Sequence, residues 1–190
     1  MNLFNSTFIL FKQVKKLSSL IISVLFLFAT IFPANAQEFA TSLADVPVDS
    51  YTLFWPLSPG KTEGDSLYSL KLLKENVLGI FAFNESEKVD YQVMLGTKRV
   101  LGAEKLIKEN KPDMVKKTLK RASNNFSQAH SLAKSAADRG KFNASKVRRD
   151  RLINVKILID FLKTSASSDL SYDLDTAKNN AQRLLADYLP

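Results

Sequence analysis

The sequence predicts an all-α fold: an up-and-down antiparallel bundle of about five helices, with an N-terminal arm of aromatics and prolines packed on it. Three observations carry that prediction. Val89, Val93, Gly96, Val100, Ala103 and Ile107 recur at alternating spacings of four and three, as do Val115, Leu119, Ala122, Phe126, Ala129, Ala133 and Ala136. A seven-residue repeat puts one narrow apolar seam on each helix, and two such seams pack as a left-handed pair. Only Asn110 and Lys111 separate the two stretches before Pro112, which suits a first helical position. So short a connection makes the two helices antiparallel neighbours. The third observation is that the seam recurs, at Leu152, Val155, Ile159 and Leu162 and again at Leu174, Ala177, Ala181, Leu184 and Tyr188.

Composition narrows the chemistry. The chain has no cysteine and one histidine, His130. That excludes a disulfide framework, a thiolate metal site and a multi-histidine centre within the chain, and no cofactor is expected. The formal net charge is +8, and Lys12, Lys15 and Lys16 account for three of those charges.

Residues 1–36 read as a secretory signal peptide. Lys12, Lys15 and Lys16 form the positive region, the uncharged run Leu17 to Phe32 follows, and Ala34-Asn35-Ala36 is a small-x-small cleavage site. An uncleaved anchor is the competing reading, since the run approaches the length of a short membrane span. The order of features favours cleavage after Ala36 and an exported, extracytoplasmic protein. Residues 37–64 form a linker and arm, and residues 65–190 the bundle. Pro47, Pro56, Pro59, Gly60 and Gly64 prevent a long helix in the linker. Its later part carries Tyr51, Leu53, Phe54, Trp55 and Leu57, more apolar surface than a free linker holds. The arm is therefore expected to lie across the bundle, with an exposed partner-binding strip at Phe54 and Trp55 as the alternative.

A shorter helix is expected from Asp65 to about Phe83, capped by Asp65 or Ser66. Leu67, Leu70, Leu73 (or Leu72), Val77 and Ile80 share one side, and Leu78, Phe81 and Phe83 widen it. A stripe that broad predicts burial on more than one side.

The run Tyr51-Thr-Leu-Phe-Trp-Pro-Leu57, then Pro59-Gly60, then Asp65-Ser-Leu-Tyr-Ser-Leu-Lys-Leu-Leu-Lys-Glu-Asn-Val77 resembles a family of exported bacterial helical domains, domain of unknown function 5667. The stretch from Lys88 to Leu106 fits it too. The resemblance covers about Tyr51 to Arg139. It implies an extracytoplasmic, all-helical domain with no known activity and no catalytic residues to carry over.

Asn84 followed by Glu87 reads as a capping box at the start of the next helix. Gly140 is placed to end the helix that Pro112 begins. Asn143 is expected to cap a helix reaching Ser165. Its extra apolar residues, Ile153, Ile157 and Leu158, predict a central position. After a polar break, Ser171 is expected to cap the last helix.

The dense basic segments outside the signal peptide are Lys116, Lys117, Lys120 and Arg121, and then Lys146, Arg148, Arg149, Arg151 and Lys156. They read either as solvated faces paired with neighbouring acids or as a surface for anions. Nucleic acid is not expected, because the clusters lack interleaved aromatics and the chain reads as exported. Ser131-x-x-Lys134 has no companion motifs, and no Gly-rich phosphate loop appears. His130 beside the seam reads as a boundary residue. With no linked acid, base and nucleophile, the chain is not expected to be an enzyme. The expected role is an extracytoplasmic binding or scaffolding module. The alternatives are a binder of anionic envelope polymer or lipid, and a small-molecule or lipid carrier with an internal apolar cavity. The expected partner is an envelope protein or an anionic envelope component. Membrane contact is expected only if the signal segment is retained.

Overall fold

Four apolar seams make the core, and they meet in a ring that does not follow chain order. The computed structural model describes residues 48–81 and 84–189. The expected signal peptide, the first part of the linker and Phe83 lie outside the described residues. Among the described residues there are six α-helices and no strand. They are α1 (Ser50–Phe54), α2 (Tyr68–Ile80), α3 (Glu85–Lys108), α4 (Pro112–Asp138), α5 (Lys146–Ser165) and, after a 3-10 turn at Ser168–Leu170, α6 (Ser171–Tyr188).

The last four run alternately up and down. α4 packs between α3 and α6, and α5 closes the ring against α6 and α3. Polar ties fix the directions. Arg139, just past the end of α4, reaches Glu85 at the start of α3 at 2.6 Å, so these two are antiparallel. Arg148 at the start of α5 meets Asp90 near the start of α3 at 2.6 Å, so these two run parallel. α4 and α6 are also parallel: Asn180 donates to Ser123 Oγ at 2.7 Å, and one end further along His130 Nε2 lies 2.8 Å from Asp187. Asp45–Pro190 forms one compact unit with its own core.

Local chemistry explains the boundaries. Asn84 and Glu87 form the expected capping box. α3 ends with Asn110 at φ +55, where Lys111 N donates to Leu106 O (3.0 Å) and Asn110 N to Ile107 O (3.0 Å). α4 ends the same way around Gly140 at φ +65, with Lys141 N on Ala136 O (2.8 Å) and Gly140 N on Ala137 O (2.9 Å). Both are Schellman closures, which satisfy otherwise orphaned carbonyls. Three expected caps differ. Ser145, not Asn143, caps α5 by accepting from Arg148 N. α6 has no side-chain cap, because the 3-10 turn feeds it directly. Asp65 caps no helix; it accepts from Thr62 N at 2.6 Å and closes a turn in the arm.

All seven seam residues of α4 are fully buried, as are Val89, Val93, Val100 and Ala103 of α3. Gly96 is required where it stands, because a Cβ there would lie 2.5 Å from Phe126 Cε1. The central helix is α3, not α5. From Leu95 to Leu106 it is buried almost all round, whereas Ile157 of α5 is exposed and Ile153 half-buried. The arm supplies the difference: it passes over the outer side of α3, where Thr62 Cγ2 would meet a Cβ on Gly102 at 3.4 Å.

Candidate functional site

The outer side of α3 carries charge, and this decides how α2 docks. Arg99 is buried, and its guanidinium takes both carboxylate oxygens of Glu75 on α2. Tyr91 of α3 donates its hydroxyl to Glu75 O at 2.5 Å. The arm is clasped to the same helix, since Lys71 Nζ donates to Pro59 O and Lys61 O, both at 2.6 Å. The Tyr68 ring lies at the centre, with Lys71, Arg99 and Arg121 at 5.6, 5.8 and 5.8 Å from its centroid. Glu63 stands 3.4 Å from Arg121 Nε. Burial, then repulsion from Arg99, lowers Lys71 to about 8, while burial raises Tyr68. Among the described residues, the buried side-chain polar atoms without a hydrogen bond are Glu63 Oε2, Tyr68 OH, Arg99 Nε and Thr118 Oγ1. All four belong to residues lining one crevice, together with Lys61, Thr62 and Lys98.

Held by this polar side, α2 turns its apolar side outward. Leu73, Val77, Leu78, Ile80 and, just beyond it, Phe81 are exposed, Ile80 at 79%. Leu67, which precedes the helix, is exposed as well. The expectation that this helix is buried on more than one side is therefore corrected. The four seams of the ring already close on one another. What remains for a fifth helix is a charged flank, which Glu75 and Tyr68 fit better than leucine does.

The arm is partly docked. Asp49 caps α1 by accepting from Tyr51 N (3.0 Å) and Thr52 N (3.2 Å). Phe54 is buried in the core, and Asn154 of α5 donates to Leu53 O at 2.8 Å. Trp55 points the other way. It is 66% exposed and stands 4.8 Å from the equally exposed Tyr51 ring. Trp55 is the only tryptophan, so its emission is expected to be red-shifted and strongly quenched by iodide. A blue-shifted, protected emission would contradict that orientation.

The two basic segments are not brought together. Lys116 and Arg121 lie in the first part of α4, beside Asp169 (2.9 Å) and Glu63. Lys146 to Arg151 lie at the start of α5, next to the start of α3 and so at the opposite end of the bundle. Arg148 is not a surface residue: it is 1% exposed. Besides Asp90 it donates to Asn143 O (3.0 Å) and Ser86 O (3.2 Å), and it stacks on Phe142. It is a clasp between α5 and α3. Lys117, Lys120, Lys146 and Arg149 are exposed and Arg151 is half-buried; none has an ion pair among the described residues. His130 is a boundary residue, held by Asp187 and edge-on to Tyr188.

Sequence reasoning missed the Glu75–Arg99 pair, whose members stand twenty-four residues apart. No local spacing links them. Among the described residues no helix is long and apolar enough to cross a membrane. Residues 60–159 match the family model described as Domain of unknown function (DUF5667). No curated protein and no solved structure matches the chain.

Proposed function

The chain belongs to the DUF5667 family, and we propose that this member works by binding, without catalysis, through the apolar face that α2 turns to solvent. One observation carries this reading. Six large apolar side chains, from Leu67 to Phe81, are exposed along a single helix and its ends. An apolar patch of that kind, rimmed by charge, marks an interaction surface. The polar clamp beneath it supports the same reading, because Arg99, Glu75 and Tyr91 hold the helix in that orientation. Trp55 and Tyr51 add a second exposed apolar spot on the arm. The charged, apolar and cleavage-site order of residues 1–36 supports export, with the bundle acting outside the cytoplasm after cleavage behind Ala36.

Lys117, Lys120, Lys146 and Arg149, which have no ion pair among the described residues, support a second reading, a binder of anionic envelope polymer, although the two clusters sit at opposite ends. The carrier reading gains no support from the seam, where Gly96 lies against Phe126 and alanines close the helices together.

The test compares the wild-type chain with the Leu73→Asp, Ile80→Asp double variant as bait in detergent-free envelope extract. Both positions are exposed, so the fold is expected to survive. Material held by the wild type and lost by the variant is expected. Equal retention by the two chains would contradict the reading.

A further inference from the structure

We propose that the partner of the α2 face is an anionic lipid surface, on which α2 lies flat as an interfacial helix. This rests on the reading of α2 as the binding face and names its partner class. The first support is the breadth of the face. At helical spacing, Leu73, Val77, Leu78, Ile80 and Phe81 with Leu67 cover roughly 160° of arc. A single partner helix takes a narrower seam, whereas a helix half-sunk in a bilayer interface uses an arc this wide.

The second support is charge. α2 carries Lys71, Lys74 and Glu75 and no other ionised side chain. Glu75 is turned inward and matched by Arg99, so the helix presents no unmatched carboxylate to solvent. Lys61 and Lys98 line the crevice on its flank and make that edge basic. The acids that follow α2 are engaged elsewhere: Glu85 with Arg139 at 2.6 Å, and Glu87 in the capping box. A basic edge beside an apolar arc matches anionic headgroups above an acyl layer.

The third support is placement. α2 lies outside the ring, tied on its inner side to α3 through Glu75 and Tyr91 and to the arm through Lys71. Sinking its outer side about 5–10 Å into an interface disturbs no core contact.

The test uses residues 45–190, which form their own compact unit. They are sedimented with vesicles of phosphatidylcholine alone or with about one third phosphatidylglycerol. Binding to the anionic vesicles is expected, weakened by salt and by Lys61→Glu with Lys98→Glu. It is expected to fall at least about tenfold in Leu73→Asp, Ile80→Asp, with an unchanged circular dichroism spectrum. No binding to either vesicle, or undiminished binding by the double variant, would overturn the proposal. Self-association lost in the same variant, without lipid binding, would also overturn it while leaving α2 as the binding face. A variant that keeps every partner of the wild type would overturn both.

Discussion

Phe126→Ala is expected to destabilise the bundle by about 3–5 kcal/mol. Phe126 is fully buried on the α4 seam, with its ring edge against Gly96 of α3. Its seam neighbours Ala122 and Ala129 are too short to fill the space it would leave. The opposite change gives an independent check. Gly96→Ala puts a methyl 2.5 Å from Phe126 Cε1. Overpacking of that kind opposes folding by about 1–3 kcal/mol, more than the ~0.5–1 kcal/mol that alanine gains over glycine inside a helix. In a Phe126→Leu background the same Gly96→Ala is expected to be close to neutral. Urea unfolding of the four chains measures the coupling. Strict additivity would contradict the contact.

Arg99→Met is expected to release α2 while the ring stays folded. The change leaves the Glu75 carboxylate buried with Lys71 3.9 Å away as its remaining cation. Breaking a buried pair on one side destabilises by roughly 3–5 kcal/mol. The cost falls on the weaker attachment, because α2 contributes none of the four seams. Amide exchange over Tyr68–Ile80 is therefore expected to quicken by about a hundredfold or more, with little change in α4 amides. Removing both charges, as Glu75→Met with Arg99→Met, is expected to recover much of the protection. Loss of protection throughout the bundle would show instead that α2 is integral to the core.

These two results separate what was legible in the sequence from what was not. The α4 seam was legible residue by residue, because a helix buried on one stripe repeats its apolar side chains every seven positions. The hairpin between α3 and α4 was legible from the short link and Pro112. Burial of α2 was misread, because periodicity shows which side of a helix is apolar, not whether the fold has an apolar place for it. The ring closes with four seams, and the flank left over presents Arg99. Arg148 was misread for a related reason. In sequence it belongs to a basic run with Arg149 and Arg151, and only the approach of Asp90, Ser86 and Asn143 turns it inward. The central place of α3 depends on the arm crossing it, which no spacing within α3 encodes. The aromatic arm was half legible, with Phe54 docked and Trp55 outward.

The central claim is that α2 is held by its polar side and offers its apolar side. Because the chain has no cysteine, single cysteines report it without background. Leu73→Cys, Ile80→Cys and, as a buried reference that leaves the Glu75–Arg99 pair intact, Ala133→Cys, each in an otherwise native chain, are exposed to a maleimide reagent before and after denaturation. The account predicts rapid labelling at positions 73 and 80 in the folded chain, and at 133 labelling that is markedly slower until unfolding. Protection at 73 and 80 to the same degree as at 133 would mean that the apolar side is the buried one, and would contradict the account.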